Sequence, residues 1–66
     1  MNLKINGKKI KVDDAASIAD IVRKKALSPE AIIVEHNRNI ISREEWGRTE
    51  LKEDDSLEIV SFVGGG

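Results

Sequence analysis

The 66-residue chain closes on SFVGGG, three glycines directly after a hydrophobic run. Gly64, Gly65 and Gly66 have no side chains to pack, and glycine loses more backbone freedom on ordering than any other residue. A frayed end or a linker would account for such a run. A second reading gives it chemistry. A glycine arm has no Cβ, so it can thread a narrow enzyme channel, and three extended residues reach about 10 Å. The carboxylate of Gly66 is a poor electrophile until it is converted to a mixed anhydride such as an acyl-adenylate. On this reading residues 64–66 form a flexible tail activated by a partner protein. Gly64 and Gly65 are its recognition elements, Gly66 its reacting residue, and residues 1–63 the folded handle.

Other reactive side chains are few. His36 is the sole histidine. It has no matched serine or cysteine nucleophile and no ligand cluster, so it reads as a strand-end or surface residue. Glu44-Glu45 and Asp54-Asp55 could do paired acid–base work. They lie in polar turn segments of a chain too small for a substrate cleft, and solvated turn charges are the better reading. Trp46 fits a core-edge residue under a loop rather than a stacking platform. No glycine-rich phosphate loop is present. There is no cysteine, which excludes a disulfide, a thiolate metal site and a side-chain persulfide. No catalytic residue and no metal site are expected.

The elements that must carry the tail read as follows. In NLKINGKKIKV, Leu3 and Ile5 alternate with polar residues, as do Ile10 and Val12. Asn6-Gly7 between them is the favoured pair for a type I′ hairpin turn. Ser17 followed by Asp20 predicts a helix start with a capping box. Ile18, Ile21, Val22 and Ala26 predict an apolar helical stripe, and Pro29 is its expected stop. AIIVEH predicts a strand buried on much of both faces, Asn37-Arg38-Asn39 a turn, and Ile40-Ile41 a short returning strand. SREEW can form one helical turn capped by Ser42, TEL a brief extended piece, and LEIVSFV the last strand. The predicted class is α+β, a mixed sheet of four to five strands with one main helix across one face. The first and last strands are expected to pair in parallel near its centre. If Leu57 and Ile59 face the helix, period two turns Glu58, Val60 and Phe62 outward. Val60 and Phe62, apolar and next to the tail, are then a candidate partner interface.

Composition bounds the class of function. The chain is 39% hydrophobic and 35% charged, with net charge −1. That balance suits a single small folded domain and argues against a nucleic-acid binder, which needs a basic face. No apolar run approaches a membrane span, and the start lacks the features of a signal peptide. The expectation is a cytoplasmic protein, monomeric when free.

Three segments together carry a resemblance over the full chain: LKINGKKI, IIVEHNRNIISREEW and DSLEIVSFVGGG. They resemble the sulfur-carrier family of thiamin biosynthesis, ubiquitin-like partners of thiazole synthase. The chain departs from the family pattern at Asp54-Asp55, where many relatives have Gly-Asp, and at Arg38, in a turn that often holds glycine. The resemblance implies a β-grasp fold. It also implies a cycle in which an E1-like adenylyltransferase uses ATP and magnesium to adenylate the Gly66 carboxylate. A sulfur-donating enzyme then supplies the sulfur of a thiocarboxylate, and thiazole synthase receives it. The chain itself would be a carrier with no active site and no bound cofactor. The small subunit of molybdopterin synthase and a ubiquitin-like protein modifier are the alternatives that share this kind of tail.

Overall fold

A computed structural model of the chain describes residues 1–62. Two strands, β1 (Asn2–Ile5) and β2 (Lys8–Lys11), form the predicted hairpin, with Leu3 opposite Ile10 and Lys4 opposite Lys9. Asn6 and Gly7 both have positive φ, as the type I′ turn requires. The ladder runs one pair further, where Met1 and Val12 exchange backbone hydrogen bonds of 2.8 and 2.9 Å.

Helix α1 (Ile18–Lys24) starts as expected. The amide of Asp20 donates to the Ser17 hydroxyl, and the Asp20 carboxylate accepts from the amides of Ser17 and Ala16 at 3.0 and 2.7 Å. It ends earlier than Pro29. Ala26 has φ +54. The amides of Ala26 and Leu27 donate at 3.0 Å to the carbonyls of Arg23 and Val22. This is a Schellman stop with a left-handed alanine in the position glycine usually takes. Ala26 is therefore exposed rather than part of the apolar stripe, and half-buried Leu27 closes it. Pro29 opens a separate short 3-10 turn, Pro29–Ala31.

Strand β3 (Ile32–His36) follows, and a two-residue turn of positive-φ Asn37 and Arg38 leads into β4 (Asn39–Ile41). Its burial differs from the expectation. Ile32 and Val34 are buried but Ile33 is 45% exposed, because α1 covers one face of the sheet and no described element covers the other. A 3-10 segment, Arg43–Arg48, packs beside α1, and Ser42 precedes it without a side-chain cap. It carries Trp46 into the core, where the indole Nε1 donates to the Ile41 carbonyl at 3.0 Å. The extended piece after it bridges Glu50 to Ser17 and so clips the start of the helix.

Strand β5 (Ser56–Ser61) lies in the middle of a five-stranded sheet of order β2-β1-β5-β3-β4. It runs parallel to β1 and antiparallel to β3. The expected central parallel pairing is present, and the sheet is mixed. The core lies between this sheet and α1, with Leu3, Ile18, Ile21, Val34 and Leu57 at most 2% exposed.

Candidate functional site

The strand that leads to the glycines is an inner strand of the sheet. Both edges of β5 are paired, with β3 over five residue pairs and with β1 at Ser56 and Leu57. Beyond the end of β1 a side chain continues the ladder. The Asn6 amide donates to the Leu57 carbonyl at 2.9 Å, and its side-chain oxygen accepts from the Ile59 amide at 2.7 Å. The turn residue thus does a second task that its sequence position did not reveal. Past Ser61, the Phe62 amide still donates to the Ala31 carbonyl at 3.0 Å. The chain is held to a fixed path up to Phe62. Val63 and the tail residues Gly64, Gly65 and Gly66 lie outside the described residues.

Alternation along β5 sorts its side chains. Leu57 is fully buried and Ile59 half-buried toward the helix, while Val60 is 57% and Phe62 56% exposed on the other face. Ile33 sits opposite Val60 in the register, and Ile40, exposed as well, sits opposite Glu35, so four apolar side chains share this open face. Glu58 and Glu35 pair across the same strands and border the patch. The sequence reading found Val60 and Phe62. It missed Ile33 and Ile40, since a run of β-branched residues does not tell which face is covered.

Several of the other chemically capable groups are used in folding. Asp55 was expected to be a solvated turn charge, and the structure corrects this. Its Oδ2 lies 2.8 Å from His36 Nε2 and accepts from the Lys52 amide at 2.9 Å; its Oδ1 accepts from Asn37 Nδ2 at 3.1 Å. Partial burial raises its pKa, but the hydrogen bonds of His36, Lys52 and Asn37 outweigh this and hold the carboxyl below its ordinary value. An ionised carboxylate only accepts, so the hydrogen between them is on His36 Nε2. Asp54, its neighbour, is exposed with φ +69. Glu44 and Glu45 are exposed, and Glu45 pairs with Arg48, which is exposed as well. Glu53 accepts from the Asn2 amide and side chain, which hold its pKa down as well. Among the described residues, no group of three or more His, Cys, Asp or Glu side chains could hold a metal ion.

A mixed sheet grasping one helix, with the chain led out along its central strand, defines a ubiquitin-like β-grasp protein. The comparisons narrow the class. The model of the ThiS family matches residues 2–66. The sulfur carrier protein ThiS of Bacillus subtilis is 42% identical over 65 residues, covering 97% of this chain and 98% of that one. The crystal structure of thiamine biosynthesis protein ThiS from Geobacter metallireducens aligns with TM-score 0.82 and 36% identity, covering 100% of both chains. A thiazole synthase of Magnetococcus marinus is 32% identical over 66 residues; the whole of this chain matches 20% of that protein. The chain belongs to the ThiS family, and its function is that of a sulfur carrier in thiamin biosynthesis.

Proposed function

We propose that the carboxyl carbon of Gly66 is the atom that carries sulfur. The observation that carries this reading is that the family match runs through Gly66 in a chain without cysteine. No side-chain thiol is available to hold a persulfide, so the backbone carboxylate is the group left to do the work. One carboxylate oxygen attacks the α-phosphate of ATP on an E1-like adenylyltransferase with bound magnesium. Pyrophosphate leaves and an acyl-adenylate forms. Sulfide from a sulfur-donating enzyme attacks the carbonyl carbon, the bond to the phosphate oxygen breaks, AMP leaves, and a thiocarboxylate remains. The chain is then a cosubstrate, and the chemistry belongs to its partners.

Thiazole synthase is the proposed acceptor of the sulfur. The match to a fifth of a protein of that name supports this, since there a stretch like this chain shares one polypeptide with the rest of a synthase. Val60 and Phe62 are the proposed contact surface beside the tail, with Gly64 and Gly65 passing into the partner's channel. No helix among the described residues is long and apolar enough to cross a membrane. The cytoplasm, where ATP is at hand, is the proposed site of action.

The test is intact mass spectrometry of the protein purified from its own cells, with fragmentation of its last peptide. A gain equal to replacing oxygen by sulfur, localised to Gly66, is expected. A purely oxygen carboxylate in cells actively making thiamin would overturn the assignment. Conjugates of the chain to lysines of other proteins would instead favour the modifier reading.

A further inference from the structure

A groove of about 350 Å³ opens beside the end of β5. The aliphatic side chains of Ile5, Ile10, Leu27 and Ile59 line it, together with Lys8, Lys25 and Ser61, the last residue of the strand. Its basic members come from distant places in the chain. Lys8 opens β2 just after the hairpin turn, and Lys25 caps the C-terminus of α1. Both are exposed, and among the described residues neither makes an ion pair.

The charge distribution gives the groove a sign. Residues 1–25 carry seven Lys and Arg against three Asp, a net +4. Residues 26–66 carry four against nine Asp and Glu, a net −5. A formal charge near zero thus hides a polarised molecule, and Lys8 and Lys25 bring its positive part to the place where the chain leaves the sheet.

We infer that this groove is a docking site for the activating enzyme, and that it takes an aliphatic side chain flanked by carboxylates on the enzyme surface. The inference rests on the reading of Gly66 as the adenylated residue and adds to it a second grip, on the helix-side flank of β5 and distinct from the outward patch of Val60 and Phe62. The groove supplies apolar burial at its centre and unpaired cations around it, the arrangement that gives a protein interface its orientation and its rate of encounter. Two grips on opposite sides of β5 would fix the direction in which the tail enters the enzyme.

The experiment measures ATP-dependent pyrophosphate release by the adenylating enzyme of the same organism, with the carrier as varied substrate. Lys8→Glu combined with Lys25→Glu should raise the carrier KM by about tenfold or more at low salt and leave kcat in place. The ratio to wild type should shrink as ionic strength rises from about 0.01 to 0.15 M, where the screening length falls from ~30 to ~8 Å. Lys8→Arg with Lys25→Arg should behave as wild type. The control is Arg38→Glu with Lys52→Glu, the same change of charge at the far end of β5. Thermal unfolding checks that each variant folds, and the milder Lys8→Gln with Lys25→Gln replaces any that does not. An unchanged KM in the lysine variants overturns the groove alone. So does an equal rise in the control, which would make the effect one of overall charge. Failure of the wild type to be adenylated overturns the Gly66 reading and the groove with it.

Discussion

The Asp55 carboxylate accepts hydrogen bonds from three segments: the end of β3 at His36, the turn at Asn37, and the backbone at Lys52. The Asn37 side-chain oxygen completes the cluster by accepting from the Ser56 amide at 2.9 Å, so the first residue of β5 is tied to the β3–β4 turn. Asp55→Ala should cost about 1–3 kcal/mol, because its partners lose an acceptor in a partly buried place. The pH dependence has a definite sign. The folded-state pKa of Asp55 is lowered, so its contribution is fully present above the unfolded value near 4 and is lost as pH falls through the lower folded value. Urea titrations of wild type and variant should differ at pH 7 and converge well below pH ~4. A gap that persisted in acid would mean that the ionised carboxylate is not what matters. Polarity alone marked Asp54-Asp55 as a turn. Which of the two adjacent carboxylates turns inward depends on a contact 19 residues away, and no local pattern encodes that.

At the scale of elements, the two ends of α1 differ in how openly the sequence announces them. Its start was legible because a capping box is local chemistry: a hydroxyl, and a carboxylate three residues on. Ser17→Ala should lower stability by about 1 kcal/mol. Its end was not legible, because alanine is ordinarily a helix former and Ala26 gives no stop signal. The left-handed conformation costs an L-residue about 1–2 kcal/mol, part of which glycine would return as greater freedom of the unfolded chain. Ala26→Gly should therefore stabilise the protein by a net ~0.5–1 kcal/mol. The same reasoning applies to Arg38, exposed with φ +76 in the turn between β3 and β4. Arg38→Gly should raise stability by a similar ~0.5 kcal/mol, and in a domain of this size each 1 kcal/mol moves Tm by about 4–8 °C. Calorimetry would decide both, and a fall in Tm for Ala26→Gly would show that its methyl group packs better than its exposure suggests.

The whole molecule is a sheet with one covered face and one open face, and its central strand contributes to both. The parallel neighbour of β5 was legible because the first and last strands are the most regular apolar ones, and a small sheet buries its most apolar strands at its centre. The apolar content of the open face was only half legible, since Ile33 joins Val60 through a register that sequence does not fix. This division separates stability from recognition, and two substitutions on one strand should expose it. Leu57 is fully buried, so Leu57→Ala should cost about 2–5 kcal/mol. A domain of this length has a total stability of only about 3–10 kcal/mol, so that loss is a large share of the whole. Phe62 is 56% exposed, and Phe62→Ala should change stability by less than ~1 kcal/mol. If the outward patch is the surface that partners grip, Phe62 is its aromatic anchor. Truncating an anchor buried on binding costs about 2 kcal/mol or more, nearly thirtyfold in Kd. The paired measurement is urea unfolding of each variant alone and titration calorimetry with the activating enzyme and with thiazole synthase. Phe62→Ala should fold like wild type and bind at least one of the two far more weakly. Unaltered affinity for both would remove Phe62 from the interface. A stability loss as large as that of Leu57→Ala would mean that Phe62 belongs to the fold rather than to recognition.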